Sequence, residues 1–192
     1  MKLIALCMVT LAIVAGPTPA SASADTVLSL EDKRRLAAFD RTRATAIVEA
    51  RRNGDPRAVD ALDAILAGTP QRVLGESLSG DYRCRLAKLD GILPVIVYSW
   101  FRCTIEEDGP GYRLTKVSGS QRTTLRFIDE GETRLIAYGA GYYQDEQPKR
   151  YGEDPDRNQV GYLVKPEGGR YRIEFPLPTL ESRFDILELE RR

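Results

Sequence analysis

The sequence predicts an α+β fold, with an N-terminal helical hairpin packed on a C-terminal antiparallel eight-stranded β-barrel or curved sheet. A two-sheet sandwich is the alternative. Three observations carry this. Apolar residues recur at helical spacing between cap signals as far as Pro70. The pattern switches to period two at Gly80. Eight short alternating runs then follow, most of them separated by tight-turn residues, as in all-β closed sheets.

The helical part opens at Ser29, with Asp32 three residues on, a shortened capping box. Leu36, Phe39, Ala46, Ile47 and Ala50 form the apolar stripe, and Asn53-Gly54 stops it. Asp55 caps a second helix with Pro56 at its first position, and Val59, Leu62, Ile65 and Leu66 are its apolar face. Gly68-Thr69-Pro70 ends it. The basic and acidic residues interspersed along these helices read as a solvated outer face.

The predicted strands are 81–89, 95–105, 112–117, 122–128, 133–138, 160–165, 170–175 and 184–190. The second is nearly all apolar and reads as buried on both faces, with Trp100 in the core. Arg83, Arg85, Arg113, Arg122 and Arg126 share strand faces with polar neighbours, which suits either an exposed sheet face or an anion-binding surface. Whether the interior is open or filled is not decided by the pattern.

The chain begins with the three parts of a secretory signal: Lys2, an uncharged apolar run over 3–16, and the overlapping small-residue sites Ala20-Ser21-Ala22 and Ala22-Ser23-Ala24. The apolar run is shorter than the ~20 residues that span a bilayer. We place cleavage after Ala24, with Ala22 as the alternative. The organisation is then a signal peptide (1–24), a helical hairpin (25–79) and an antiparallel β domain (80–192). The location is periplasmic or secreted, with no stable membrane insertion after processing.

Composition narrows the chemistry. The 192 residues carry 28 basic and 28 acidic side chains, so no basic excess is available to neutralise nucleic-acid phosphates. Without a histidine there is no Ser-His-Asp or Cys-His catalysis and no imidazole-ligated zinc. Of three cysteines, Cys7 leaves with the signal. Cys84 and Cys103 remain, and an even pair in an oxidising compartment reads as a disulfide. They would face each other directly if the turn between their strands centred between Leu93 and Pro94. The bond would contribute ~3 kcal/mol by closing that loop.

The longest non-periodic stretch is 139–159. Its Tyr142, Tyr143, Asp145, Arg150, Tyr151, Asp154, Asp156 and Arg157 form the candidate ligand- or partner-binding set, because tyrosine and arginine concentrate binding energy. The other reading is a structural segment whose tyrosines fold back onto the barrel end. Asp154, Asp156 and Asn158 imitate the start of an EF-hand loop, but Gln159 and Lys165 stand where glycine and the bidentate acid belong. No metal, cofactor or catalytic residue is predicted.

Several short motifs occur in a recognisable order: Gly80-Asp81-Tyr82-Arg83-Cys84-Arg85, Lys88-Leu89, Tyr98, Trp100-Phe101-Arg102-Cys103 and Gly119-Ser120-Gln121-Arg122. Tyr151-Gly152, Asp154-Pro155, Arg157, Glu181-Ser182, Asp185-Ile186 and Glu188-Leu189 continue it. In these the chain resembles the bacterial family catalogued as domain of unknown function 4893. The resemblance implies an exported bacterial protein with a helical N-terminal part, and it brings no activity or catalytic residues. The resulting expectation is a non-catalytic binding module of the cell envelope. Its partner would be a small ligand or a protein, and hydrolase inhibition is included. The alternative is a carboxylate-dependent hydrolase acting on envelope carbohydrate.

Overall fold

The computed structural model describes residues 23–192; the signal-peptide reading therefore lies almost wholly outside the described residues. Four helices come first: α1 (Ala24–Val27), α2 (Leu30–Ala37), α3 (Phe39–Asn53) and α4 (Pro56–Leu66). Ten strands follow: β1 (Pro70–Gln71), β2 (Gly80–Leu89), β3 (Val95–Val97), β4 (Phe101–Asp108), β5 (Gly111–Lys116), β6 (Gln121–Asp129), β7 (Arg134–Tyr143), β8 (Asn158–Pro166), β9 (Tyr171–Pro176) and β10 (Phe184–Arg191).

Eight of these strands close a barrel. The order is β2, β4, β5, β6, β7, β8, β9, β10, and β10 pairs back to β2, every neighbour antiparallel. Consecutive strands are spatial neighbours, so the barrel is up-and-down, and closure leaves no long edge exposed. The sandwich alternative is thereby excluded.

One parity of each strand points inward. Cys84, Ile105, Leu114, Leu125, Leu163, Ile173 and Leu189 meet in the interior, fully buried. The other parity faces solvent or the helices. Ala87, Leu89, Phe184 and Ile186 share a buried cluster with Ala46, Ile47, Ala50, Leu62 and Ile65 of α3 and α4. Leu28 and Leu36 cluster with Ile128, Ile136, Val160 and Tyr162.

Three sequence expectations need correction. The stretch from Ser29 to Asn53 is two helices, broken at Ala38, whose N–H is shared between the carbonyls of Arg34 and Arg35 at 3.1 Å each. The reason is curvature. Arg35 on α2 donates to the carbonyls of Asn158 (3.1 Å) and Pro176 (3.3 Å), while α3 reaches the strands further round the wall. A straight helix does not follow both. The Ser29 hydroxyl does accept from the Asp32 N–H at 3.1 Å, as the cap predicts.

The run 95–105 is also two strands. β3 pairs Ala87 with Val97, but β4 pairs Cys84 with Phe101. Three steps along β2 thus match four along its partner, the extra residue of a β-bulge. Tyr98 and Ser99 are exposed there. Trp100 is half-buried and lies against the guanidinium groups of Arg83 (4.4 Å) and Arg85 (4.7 Å), so it is outside the core.

The bulge shifts the register, so the cysteines are not directly opposed. Cys84 faces Phe101 and Cys103 faces Tyr82, a diagonal pair on the inner face. The disulfide forms nonetheless, with Cα atoms 5.9 Å apart, because diagonal neighbours are within its reach.

The two ends of the barrel differ. Residues 72–79 cross one end, with Val73 and Leu78 buried in the interior cluster. Glu76 ties this plug down, accepting from Lys165 (2.6 and 2.8 Å) and from the Tyr171 hydroxyl (2.9 Å). Arg191 donates to the Ser77 carbonyl at 2.9 Å. At the other end stand the longer connections, 90–100, 144–157 and 177–183, with the short turn 117–120.

Candidate functional site

A cavity of about 360 Å³ opens at the unplugged end. That is within the ~300–1,000 Å³ range of small-ligand pockets. Its floor and walls are apolar: Leu86, Phe101, Phe175 and Leu187 all point inward. Gly141 leaves space on the β7 side. Its missing Cβ would meet nothing nearer than the Gln159 amide at 3.4 Å.

The polar groups sit in one layer at the mouth. The inward parity of β2 runs Tyr82, Cys84, Leu86, Lys88, apolar until its last member. β5 runs Tyr112, Leu114, Lys116 in the same way. β6 begins with Gln121 and Thr123 before Leu125, and β10 begins with Asp185 before Leu187 and Leu189. Antiparallel strands place the ends of β2 and β5 beside the starts of β6 and β10. Lys88 therefore faces Asp185, and Lys116 faces Thr123.

Electrostatics divide these groups. Lys88 pairs with Glu181 of the β9–β10 loop, and Gln121 donates to the other oxygen of Glu181 at 3.2 Å. The Lys88 hydrogen bond holds the Glu181 carboxyl below its usual range. Asp185 is pushed up to about 6, chiefly by burial, although the Ser182 hydroxyl donates to it at 2.5 Å. Lys116 is buried and falls to about 8, through desolvation first and then the positive charges of Arg122 and Lys88. Its ammonium donates to the carbonyls of Ser118 (2.9 Å) and Gln121 (2.5 Å) and lies 3.9 Å from the centre of the Phe101 ring. Among the described residues no carboxylate lies within 4.0 Å of it.

Asp185 makes the native state prefer a proton. Its folded value lies above the unfolded one, so native protein binds more protons between about pH 4 and 6. Stability therefore falls as pH rises through that window. Asp185→Asn is expected to raise stability at pH 7 by about 1–3 kcal/mol and to leave it nearly unchanged at pH 4. Thermal melts at the two pH values check this; equal effects at both would remove the desolvation argument.

The candidate residues of 139–159 divide. β7 extends to Tyr143 and β8 starts at Asn158, so the true connection is only 144–157. Gly139 is in a strand, where a Cβ would lie 1.9 Å from the Thr124 carbonyl oxygen, so the glycine permits close strand approach. Tyr142 is 5% exposed and lines the cavity beside Tyr143, which is 37% exposed. Asp156 and Arg157 line it too, with the Arg157 guanidinium 4.4 Å from the Tyr143 ring centre.

The other four lie elsewhere. Asp145 and Arg150 are exposed and outside the cavity lining. Asp154 accepts from the Asp156 N–H at 3.2 Å and caps a short 3-10 turn. Tyr151 donates to Asp32 at 2.5 Å, and Asp32 also accepts from Arg35 (2.8 Å) and Asn158 (3.1 Å). It therefore fastens the loop to α2.

The arginine stripe is mostly neutralised. Arg83, Arg85, Arg113 and Arg126 pair with Glu190, Glu188, Glu106 and Asp108. Arg122 alone reaches the cavity. Sequence reasoning missed Lys88, Lys116, Gln121, Thr123, Glu181 and Asp185 as a group. The signal was present: inward parity turns polar at the same end of successive strands.

The family model for a domain of unknown function, DUF4893, matches residues 25–189. The chain belongs to this family. No curated protein and no solved structure matches it. The cavity lining includes several of the residues by which the chain resembles the DUF4893 family, among them Lys88, Tyr98, Gln121, Arg122, Glu181 and Asp185.

Proposed function

We propose that this DUF4893 chain is an exported, non-catalytic binding module that takes a small ligand into the open end of its barrel. The observation that carries this reading is the asymmetry of the ends. One is plugged by 72–79, while the other holds an apolar-walled cavity with polar groups at its mouth. A few convergent polar groups over apolar walls are the usual composition of a ligand pocket. Export rests on the signal-like start and on the disulfide, with the family match beginning at Asp25. N-terminal sequencing of protein recovered from the periplasm or medium, expected to begin near Asp25, checks it. We read α3 and α4 as a hairpin that braces the wall formed by β2, β9 and β10, a support outside the site.

Gly141→Leu tests the cavity. The leucine side chain has room at its Cβ and would extend into the open volume. Anilinonaphthalene sulfonate, a fluorescent aromatic amphiphile, is expected to bind the wild type saturably, and the variant at least about tenfold more weakly. The thermal melt should move little. Equal dye binding by both proteins would show that the cavity is not the site.

One observation favours the hydrolase alternative: Asp185 is pushed up to about 6 while Glu181 is held low in the same cavity. Such splitting marks acid–base pairs. The binding reading is preferred because Glu181 is engaged at both oxygens, by Lys88 and Gln121, and Asp185 is bonded to Ser182.

A further inference from the structure

We infer that the ligand is an amphiphile with an anionic head, carboxylate or phosphate, seated on the Lys116 ammonium with its apolar body against Phe101, Phe175 and Leu187. This rests on the cavity-binding reading above and adds the chemical class.

The argument begins with an uncompensated charge. A buried ammonium is ordinarily paired with a carboxylate, because burial without a partner is costly. Lys116 is buried on the inner face of β5, and its two polar partners, the carbonyls of Ser118 and Gln121, are neutral. The Glu181 carboxylate in the same cavity is taken by Lys88 and Gln121 instead. Arg122 and Lys88 add positive potential from β6 and β2, and their repulsion helps depress the Lys116 ammonium to about 8. An anion drawn in from solvent would relieve that repulsion and supply the missing partner.

The surroundings define the rest of the ligand. Thr123 faces Lys116 across the β5–β6 pair and donates to Gln159, so neutral hydrogen-bonding groups flank the ammonium. Below this layer the inward residues are aliphatic or aromatic as far as the disulfide. A short chain or small ring fits that space; a sugar would leave its hydroxyls facing Leu86 and Leu187 without partners. The acids that share the cavity, Asp156, Glu181 and Asp185, are outnumbered by Lys88, Lys116, Arg122 and Arg157.

Occupancy should be coupled to protonation. In the free protein Lys116 loses its proton near pH 8, and a bound anion would raise that value. Affinity for an anion therefore falls as pH rises through about 8, while affinity for a neutral analogue stays level. Lys88, Arg122, Arg157, Glu181 and Asp156 face the same space. Asp185, at about 6, gains its charge below this window; that charge opposes an anion and leaves a neutral analogue unaffected.

The test is isothermal titration of the purified protein with octanoate, octyl phosphate, octanol and octylamine. One or both anions should bind about tenfold or more tightly than octanol, and which is tighter identifies the head group. Lys116→Met keeps the length and apolar stem of the side chain; it should abolish the preference for an anion and leave octanol binding within about threefold. The pH profile of the wild type gives the same answer without a variant. Octanol binding as tightly as the anions, octylamine binding best, or an anion preference that survives Lys116→Met would each overturn the inference while leaving cavity binding intact. Binding of none of the four would instead overturn the cavity-binding reading on which it rests.

Discussion

Glu174→Ala is expected to destabilise the protein by about 3–5 kcal/mol, the range for removing one partner of a buried ion pair. Glu174 and Arg172 lie on the outer face of β9 and are almost inaccessible. Arg172 donates to Glu174 and, through Nη1, to the carbonyls of Ile65 (3.3 Å) and Leu66 (3.2 Å) at the end of α4. Arg43 of α3 donates to the same carboxylate at 2.6 Å. One carboxylate thus links β9 to two helices, and its loss leaves Arg172 buried without a counter-charge. For a chain of this size the melting temperature would fall by roughly 10 °C. The double variant Arg172→Met/Glu174→Leu should recover much of that loss, since an apolar pair of similar size removes the stranded charge. A change below about 1 kcal/mol for Glu174→Ala would mean that water reaches the pair and that the link contributes little.

Removing the disulfide should cost about 3 kcal/mol. Cys84 and Cys103 are 19 residues apart, and closing a loop of that length restricts the unfolded chain by about this amount. Both sulfurs lie in the barrel interior, so Cys84→Ala/Cys103→Ala also leaves a small packing defect. The expected drop in melting temperature is about 6–12 °C. Wild type in reductant should shift toward the double variant as the bond opens. Superimposable melts of wild type and variant under oxidising conditions would refute the stabilising role. The same bond adjoins Lys116, which faces Cys103 across β4 and β5. Its loss should therefore also loosen the cavity floor and weaken dye binding.

Much of the architecture follows from local patterns. The period-two runs at 81–89, 122–128, 170–175 and 184–190 all correspond to strands within two residues. Asp55 and Pro56 start α4 where the cap requires: the Asp55 carboxylate accepts from the N–H groups of Arg57 and Ala58. Tight turns between successive strands left few topologies other than a meander, and closure follows once eight twisted strands hide their inner faces.

The misreadings have a common origin in forces between distant parts of the chain. The run Val95–Ile105 is apolar enough for one strand, yet a bulge at Tyr98–Trp100 interrupts it. Trp100 then finds the guanidinium groups of Arg83 and Arg85 instead of the core. The break at Ala38 has no glycine or proline to announce it; it exists because Arg35 and Asp32 are held by β8 and the 144–157 connection. Tyr142 and Tyr151 look like recognition residues by composition. One is buried at the cavity wall and the other is spent on Asp32.

By itself the sequence determined the alternation that makes eight strands, the capped helices before them, the cysteine pair, and the absence of imidazole chemistry. Each of these depends on residues within a few positions of one another, or on composition alone. Tertiary structure decided which end of the barrel is plugged, which diagonal the cysteines occupy, and that Lys88, Lys116, Gln121, Glu181 and Asp185 meet at one mouth. Those residues span nearly 100 positions in the chain. Only the closed, staggered register of the barrel sets their separation, and the charge left over on Lys116 is a property of that arrangement and not of any segment.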